Sequence, residues 1–388
     1  MQKMGVDYHT PDPVGGSMTR SSREKKLTGR MIENANVNAL QTLVKLMPAA
    51  AGGDPLAPLL EAEKVWLANG QTTICEGRTG PETVAQIRQA AERGLLKGDF
   101  IVLPDYDANK DSLAQLKTYY RTDTGHFKIG AVKMTFDGSP QGKSAWLTQP
   151  YLVPPEGENK NYRGHAIYTR QAAFNGLADI FKHGMVAHIH VNGDAAIDEA
   201  LTLLDSLQQQ GLQPTGAPVV LVHTQLVRKD QVEKIRQLGL MPSWFPTHCY
   251  LWGDWYLESV TGLPRAAYIS PLADGLRQGI RFTIHHDAPV TPPDLITAVY
   301  AAVNRTTRSG KILGADQRIS AYEALKAITI HAAYQWGEEK LKGSLLQGKR
   351  ADLVILDSNP VKVEPSTIRN IQVMATVKDG ETVYEKPH

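Results

Sequence analysis

The sequence predicts an α/β fold of the (β/α)8 barrel type, with seven of the eight parallel strands represented and a small β appendage at the C-terminal end. Short β-branched runs alternate with helical stretches from about residue 70 to residue 290, the pattern of βα units around a parallel sheet. Several of those runs end in histidine, lysine or aspartate, as expected where loops converge on one site at the C-terminal ends of barrel strands. Beyond Gly343 the texture changes to GSLLQGKRADLVILD and VMATVKDGETVYE, two alternating stretches of which the second contains a KDGE turn.

Residues 1–32 are polar and rich in Gly, Pro and Ser, with no sustained period of 2 or 3.6, and read as an irregular segment. From about Glu33 to Asn69 the period is helical, in ANVNALQTLVKLM and PLAPLLEAEKVWLANG, separated by AGGDP. The strand runs follow: TTICEG (72–77), DFIVLPDY (99–106), KIGAVKMTFDG (128–138), MVAHIHVNGD (185–194), PVVLVHTQL (218–226), LMPSWFP (240–246) and RFTIHHDA (281–288). A helix near 319–335 is marked at its start by Ser320 and Glu323, an S-x-x-E capping box. The barrel domain is therefore assigned to 33–340 and the C-terminal strands to 341–388.

At 388 residues and 42.6 kDa the chain can bury a sizeable core. Its 42 Lys and Arg against 40 Asp and Glu leave a net charge of +2, which gives no electrostatic reason to expect nucleic acid or an anionic membrane as partner. No apolar run approaches the roughly 18 residues of a membrane span. A small-molecule ligand is the expectation. Cys75 and Cys249 are isolated in sequence, which points to reduced thiols rather than a disulfide framework or a zinc ribbon. The opening MQKMGVDYHTPDPVGG has no apolar signal-peptide core, so a cytoplasmic location is the default.

Polar residues that interrupt or end the strand runs are the candidates for chemistry: Glu76, Asp105, Lys133, Asp137, His188, His190, Asp194, His223, His248, His285, His286 and Asp287. A neutral imidazole at a strand end offers one lone pair to a metal while its other nitrogen is fixed by a neighbour. His190, His223 and Asp287 would form such a set if their strands are adjacent. An isolated histidine is more often a hydrogen-bonded structural residue, and it is their recurrence on successive strands that argues otherwise. Lys133 lies inside an apolar run, where a charge is costly unless paired or chemically altered, so a functional role and a salt bridge to Asp137 both stand. His188 and His190 share one strand face. His188 and His285 suit a lining or hydrogen-bonding role. WFPTHCYLWGDWY (244–256) sets aromatics around His248 and Trp252, either as a substrate wall or as an apolar loop cover.

Taken in order, Lys133 before FDG, His190 in HVNGDAAID, His223 in LVHTQL, Asp287 in HHDAPVTPPD and the tail GSLLQGKRADLVILD resemble the amidohydrolase superfamily, and within it the family 3 branch of N-substituted formamide deformylases. The resemblance implies a metal-dependent hydrolase with a TIM-barrel fold. Lys133, carboxylated on its amine, His190, His223 and Asp287 would be the metal ligands, with one or two divalent ions, zinc by default. Asp287 would also be the general base for a metal-activated water attacking an amide-like carbon–nitrogen bond. His248, Trp252, His285, His286 and Asp137 would contact the substrate.

Members of that family open with β-sandwich strands and a first barrel strand ending in HxH. Neither is found before Glu33, and HIH at 188–190 is followed by the GDAA of the fifth strand. The resemblance therefore implies that the first strand and its metal-binding pair are missing, that the tail strands are the remainder of a sandwich, and that a single-metal site is left. Two readings compete with an enzyme: a small-molecule-binding barrel without catalysis, and an inactive fragment that associates, for instance as a homodimer, through an open barrel edge.

Overall fold

The computed structural model describes residues 5–387 apart from 14, 15, 22, 34, 37, 40, 41, 44–53 and 215. Within the segment read as irregular, strands β1 (Gly16–Ser21) and β2 (Lys26–Glu33) form an antiparallel hairpin. What organises it is local polar bonding that leaves no hydrophobic period: Arg20 donates to the carbonyls of Tyr8 and Met18 and to Asp12. Among the described residues its apolar interior is small: Met18, Leu27 and Ala35, with Val6 and Met31 packed against them. Of the two helical stretches that follow, PLAPLLEAEKVWLANG folds as α1 (Ala57–Ala68), whereas most of ANVNALQTLVKLM lies outside the described residues.

The seven predicted runs are all strands. They are β3 (Thr73–Thr79), β4 (Asp99–Pro104), β5 (Phe127–Ile129) with β6 (Val132–Thr135), β7 (Ala187–Val191), β8 (Val220–His223), β9 (Met241–Trp244) and β10 (Thr283–Ile284). All pair in parallel, in the orders β3-β4-β5 and β6-β7-β8-β9-β10. The two sheets are one wall bent at a single point. The run over 127–135 changes partner in its middle, where a Cβ on Gly130 would lie 2.4 Å from Ile101 and 2.8 Å from the Trp336 ring, and a bridge between Asp105 and Lys133 carries the wall across the bend. Among the described residues β3 and β10 are its two edges.

Helices cover the outside: α2 (Pro81–Glu92), α3 (Arg170–Lys182), α4 (Asp194–Gln209), α5 (Lys229–Gln237), α6 (Thr247–Trp255), α7 (Leu272–Arg277), α8 (Leu295–Asn304), α9 (Ala321–Ile328) and α10 (Ile330–Gln335). Outward strand residues such as Met134, Ile189, Val191 and Leu221 are fully buried beneath them. The helix predicted over 319–335 starts where expected, with Ser320 Oγ accepting from the Glu323 amide. It breaks at Thr329, and α10 then runs beside β10, held by Thr283 to Gln335 (2.8 Å) and by His331 to the Phe282 carbonyl (3.0 Å). No helix among the described residues is long and apolar enough to cross a membrane.

The C-terminal strands β11 (Leu353–Leu356), β12 (Val373–Lys378) and β13 (Glu381–Glu385) form an antiparallel sheet against α1, with Thr376 donating to the Leu67 carbonyl. A buried ionic network ties it to the barrel floor. Asp99 at the start of β4 meets Lys342 (2.7 Å), Lys378 (3.4 Å) and His126 (2.7 Å), and Lys342 continues to Glu338 (2.9 Å). The Asp99 bond raises the His126 pKa above 6.5 against the opposing effect of burial, while the same cations hold Asp99 far below its usual range. A raised imidazole pKa stabilises the fold fully below its unfolded value of about 6.5 and loses that contribution as pH climbs through the folded value. Asp99 stays ionised throughout. The melting temperature should therefore fall as pH rises above about 6.5, and His126→Asn should flatten that slope in thermal scans.

Candidate metal and active site

Parallel register places the candidates on one inner surface. Lys133 pairs with His188 and Thr135 with His190, so the three basic side chains share the face opposite core residues Met134 and Ile189. His223 is different. Its partners Val191 and Trp244 point into the outer core, and regular strand geometry would send His223 there as well. A left-handed φ of +70° at His223, followed by +45° at Thr224, turns the ring back toward the lumen. Asp287, beyond β10, is left-handed too, with φ +54°. Such conformations cost a non-glycine residue about 1–3 kcal/mol each, and they concentrate at functional sites.

The result is an unbroken row of imidazoles. Ser243 Oγ lies 3.0 Å from His285 Nδ1, His285 Nε2 lies 3.0 Å from His223 Nδ1, and His223 Nε2 lies 3.0 Å from His190 Nδ1. His190 Nε2 ends the row between the Gly138 carbonyl (3.3 Å) and Asn192 Nδ2 (3.0 Å). Burial pushes the His190 pKa down to about 3, helped by Lys133, and takes His223 and His285 well below 6.5. All three rings are neutral at physiological pH and keep a lone pair each. Lys133 is lowered to about 8 by burial, with Asp287 the carboxylate that most opposes the shift, and Asp287 is itself raised by burial.

Other candidates fall elsewhere. Asp137, assigned to substrate contact by resemblance, is wholly buried, and its oxygens accept from the amides of Asn192 (2.9 Å), Gly193 (2.8 Å) and Trp146 (3.0 Å). It pins the loop after β6 to the turn after β7. Its Oδ1 also lies 3.6 Å from His190 Nε2, so the same carboxylate borders the row of imidazoles. His248 is also buried, bonded to Tyr256 OH (2.9 Å) and packed against Phe245 and Trp252, so this segment is mainly a core cluster behind His223 and His285. His286 donates across the edges of the wall to Gln71 (3.0 Å). His188 stacks on Trp336 at 5.0 Å, and its buried Nε2 meets no hydrogen-bond partner among the described residues. Cys249 is buried and Cys75 is exposed. Ser243, Asn192 and Gln71 were not among the predicted site residues; each is a small polar residue that gains meaning only through its histidine neighbour.

Whether this set suits a metal can be judged from its donors. Among the described residues no three His, Cys, Asp or Glu side chains form a ready cage. His190 Nδ1 and His223 Nε2 are nevertheless 3.0 Å apart, near the spacing of two ligands that each sit about 2.0–2.1 Å from one ion. The rings meet edge to face, at 79°. Two neutral imidazoles fit a divalent ion directly, while an ammonium does not, so Lys133 contributes only in a chemically altered form.

The chain resembles N-substituted formamide deformylase from Arthrobacter pascens, at 26% identity over 393 aligned residues covering 99% of this chain and 70% of that protein. It also resembles a 5-methylthioadenosine/S-adenosylhomocysteine deaminase from Caldanaerobacter subterraneus, at 22% identity over 86% of this chain and 73% of the relative. In fold it matches the crystal structure of an uncharacterized metal-dependent hydrolase from Pyrococcus horikoshii, with a TM-score of 0.73 and 23% identity, covering 94% of this chain and 69% of that one. The amidohydrolase family profile matches residues 1–384, and the chain belongs to the amidohydrolase family, hydrolases of carbon–nitrogen bonds other than peptide bonds.

Proposed function

We propose that this chain hydrolyses small N-acyl or formamide-like compounds at a single divalent metal, zinc by default, held by carboxylated Lys133, His190 and His223. The observation that carries this reading is the inward turn of His223 onto His190: a strained backbone is maintained to set two neutral imidazole nitrogens 3.0 Å apart beside a buried lysine. A divalent ion bound there supplies an activated water and polarises the scissile carbonyl.

The residues of the chain then have distinct tasks. Lys133, with its pKa lowered to about 8, has an appreciable unprotonated fraction near neutral pH, the form whose lone pair can take up carbon dioxide. His285, fixed by Ser243, holds His223 in register. Asp287, desolvated at the mouth of the site, accepts a proton from the attacking water and returns it to the leaving nitrogen. A non-catalytic barrel is not favoured, because nothing in simple ligand binding calls for this strained row of donors.

Metal content measured by plasma mass spectrometry tests the site. Wild-type protein should carry close to one ion per chain, and His190→Ala and His223→Ala should each lose most of it, in line with the roughly 10–100-fold affinity losses seen even for outer-shell changes. Two well-occupied ions, or full retention in both variants, would remove the assignment.

A further inference from the structure

Arg78 has no role in the machinery described above, yet it occupies the same rim. It is the next-to-last residue of β3, at the C-terminal end of the wall. Its Nε donates to Asp105 Oδ2 at 2.6 Å, and Asp105 forms the backbone bridge to Lys133. Asp105 is in turn fixed as the cap of the helical turn that follows, accepting from the Ala108 amide (3.3 Å). The guanidinium is thus anchored at one corner to Asp105, whose backbone neighbours that of Lys133.

The form of that anchor is informative. A purely structural arginine–carboxylate pair tends to be bidentate and uses two of the donors of the fork. Here the carboxylate takes Nε alone, and among the described residues no protein acceptor takes the two terminal nitrogens, on a side chain that is 40% exposed. Its charge is felt in the lumen, where it lowers the proton affinity of both Lys133 and His190. A planar fork with free terminal N–H groups, tethered through Nε and open to solvent, matches the two oxygens of a carboxylate.

Building on the proposed amide hydrolysis, we infer that Arg78 binds a carboxylate on the substrate, so that the preferred compounds are N-acyl amino acids or other amides bearing a carboxylate near the scissile bond. The guanidinium orients the substrate through that group and takes no part in bond breaking.

Calorimetric binding of N-acetylglycine and of its neutral counterpart N-acetylglycinamide to the metal-loaded protein provides the test. Wild type should prefer the carboxylate by about 10-fold or more, the usual worth of a hydrogen bond to a charged group. Arg78→Gln should lose most of that preference, weakening the carboxylate far more than the amide, and Arg78→Lys should keep part of it. Any carboxylate contact with the metal is common to all three proteins and cancels in the comparison. Absence of a preference in wild type, or its survival in Arg78→Gln, overturns the subsite. Turnover of the two compounds is scored separately: binding discrimination without hydrolysis would sink the proposed activity and leave the subsite standing, and hydrolysis without discrimination would do the reverse.

Discussion

Asp287→Asn lowers turnover of an N-acyl substrate by about 10²–10⁴-fold, the usual contribution of a positioned general base. The substitution removes the proton-accepting oxygen and little else. Asparagine tolerates the left-handed conformation that Asp287 adopts at φ +54°, so the loop after β10 keeps its path. Lys133 loses the carboxylate that most supports its charge, and its pKa, already lowered to about 8, moves further down. Thermal unfolding should change little, because among the described residues no side-chain hydrogen bond ties Asp287 to the core. The decisive comparison is kcat alongside metal content. A large loss of kcat with the ion retained assigns Asp287 to proton transfer, whereas parallel loss of both makes it principally a ligand. Near-wild-type kcat would end the proposal that it is the base.

The second large effect concerns stability. Arg305 closes α8 in the left-handed region (φ +49°) and is completely buried. Its Nε donates to Leu313 O (2.7 Å), one terminal nitrogen to Ser270 O (3.0 Å) and the other to Ile269 O (2.8 Å) and Ala267 O (3.3 Å). One guanidinium therefore satisfies the carbonyls of Ala267, Ile269 and Ser270 and of Leu313 in the loop after α8, at a fully buried point. Arg305→Ala should cost about 3–5 kcal/mol, as expected when a buried network loses its central donor and a large side chain leaves a void. Guanidinium unfolding should show a lower midpoint at an unchanged slope. Arg305→Lys should recover a minority of the loss, since one ammonium cannot reach all four carbonyls. A midpoint unchanged by Arg305→Ala would show that the clamp is dispensable.

The parts of this protein that were legible from sequence are those where one local pattern decides the outcome. All seven wall strands were found because buried parallel strands are short apolar runs, and their polar ends marked the rim. The hairpin over 16–33 was missed because Arg20 bonds, which have no sequence period, hold it together. The partner change at Gly130 was invisible, being a matter of how closely Ile101 and the Trp336 ring approach the backbone.

The site divides in the same way. His190 and Lys133 follow from alternation on their strands. His223 was chosen for ending a run, but register alone would have turned it away from the lumen, and only the left-handed bend explains how it arrives. Asp137 accepts backbone amides and also borders His190, an arrangement no sequence pattern displays. Arg78 lies just beyond the run bounded at 72–77, whereas the strand itself extends to Thr79.

The left-handed bends at His223 and Asp287 carry a consequence for evolution of this chain in the laboratory. Glycine at either position would relax the backbone, so a library screened for heat resistance alone would be rewarded for drifting toward it. Each such winner would have discarded a donor at the reaction centre. Heat resistance and chemistry thus pull in opposite directions at these two codons, and any stabilised descendant that keeps its activity must have gained its robustness elsewhere.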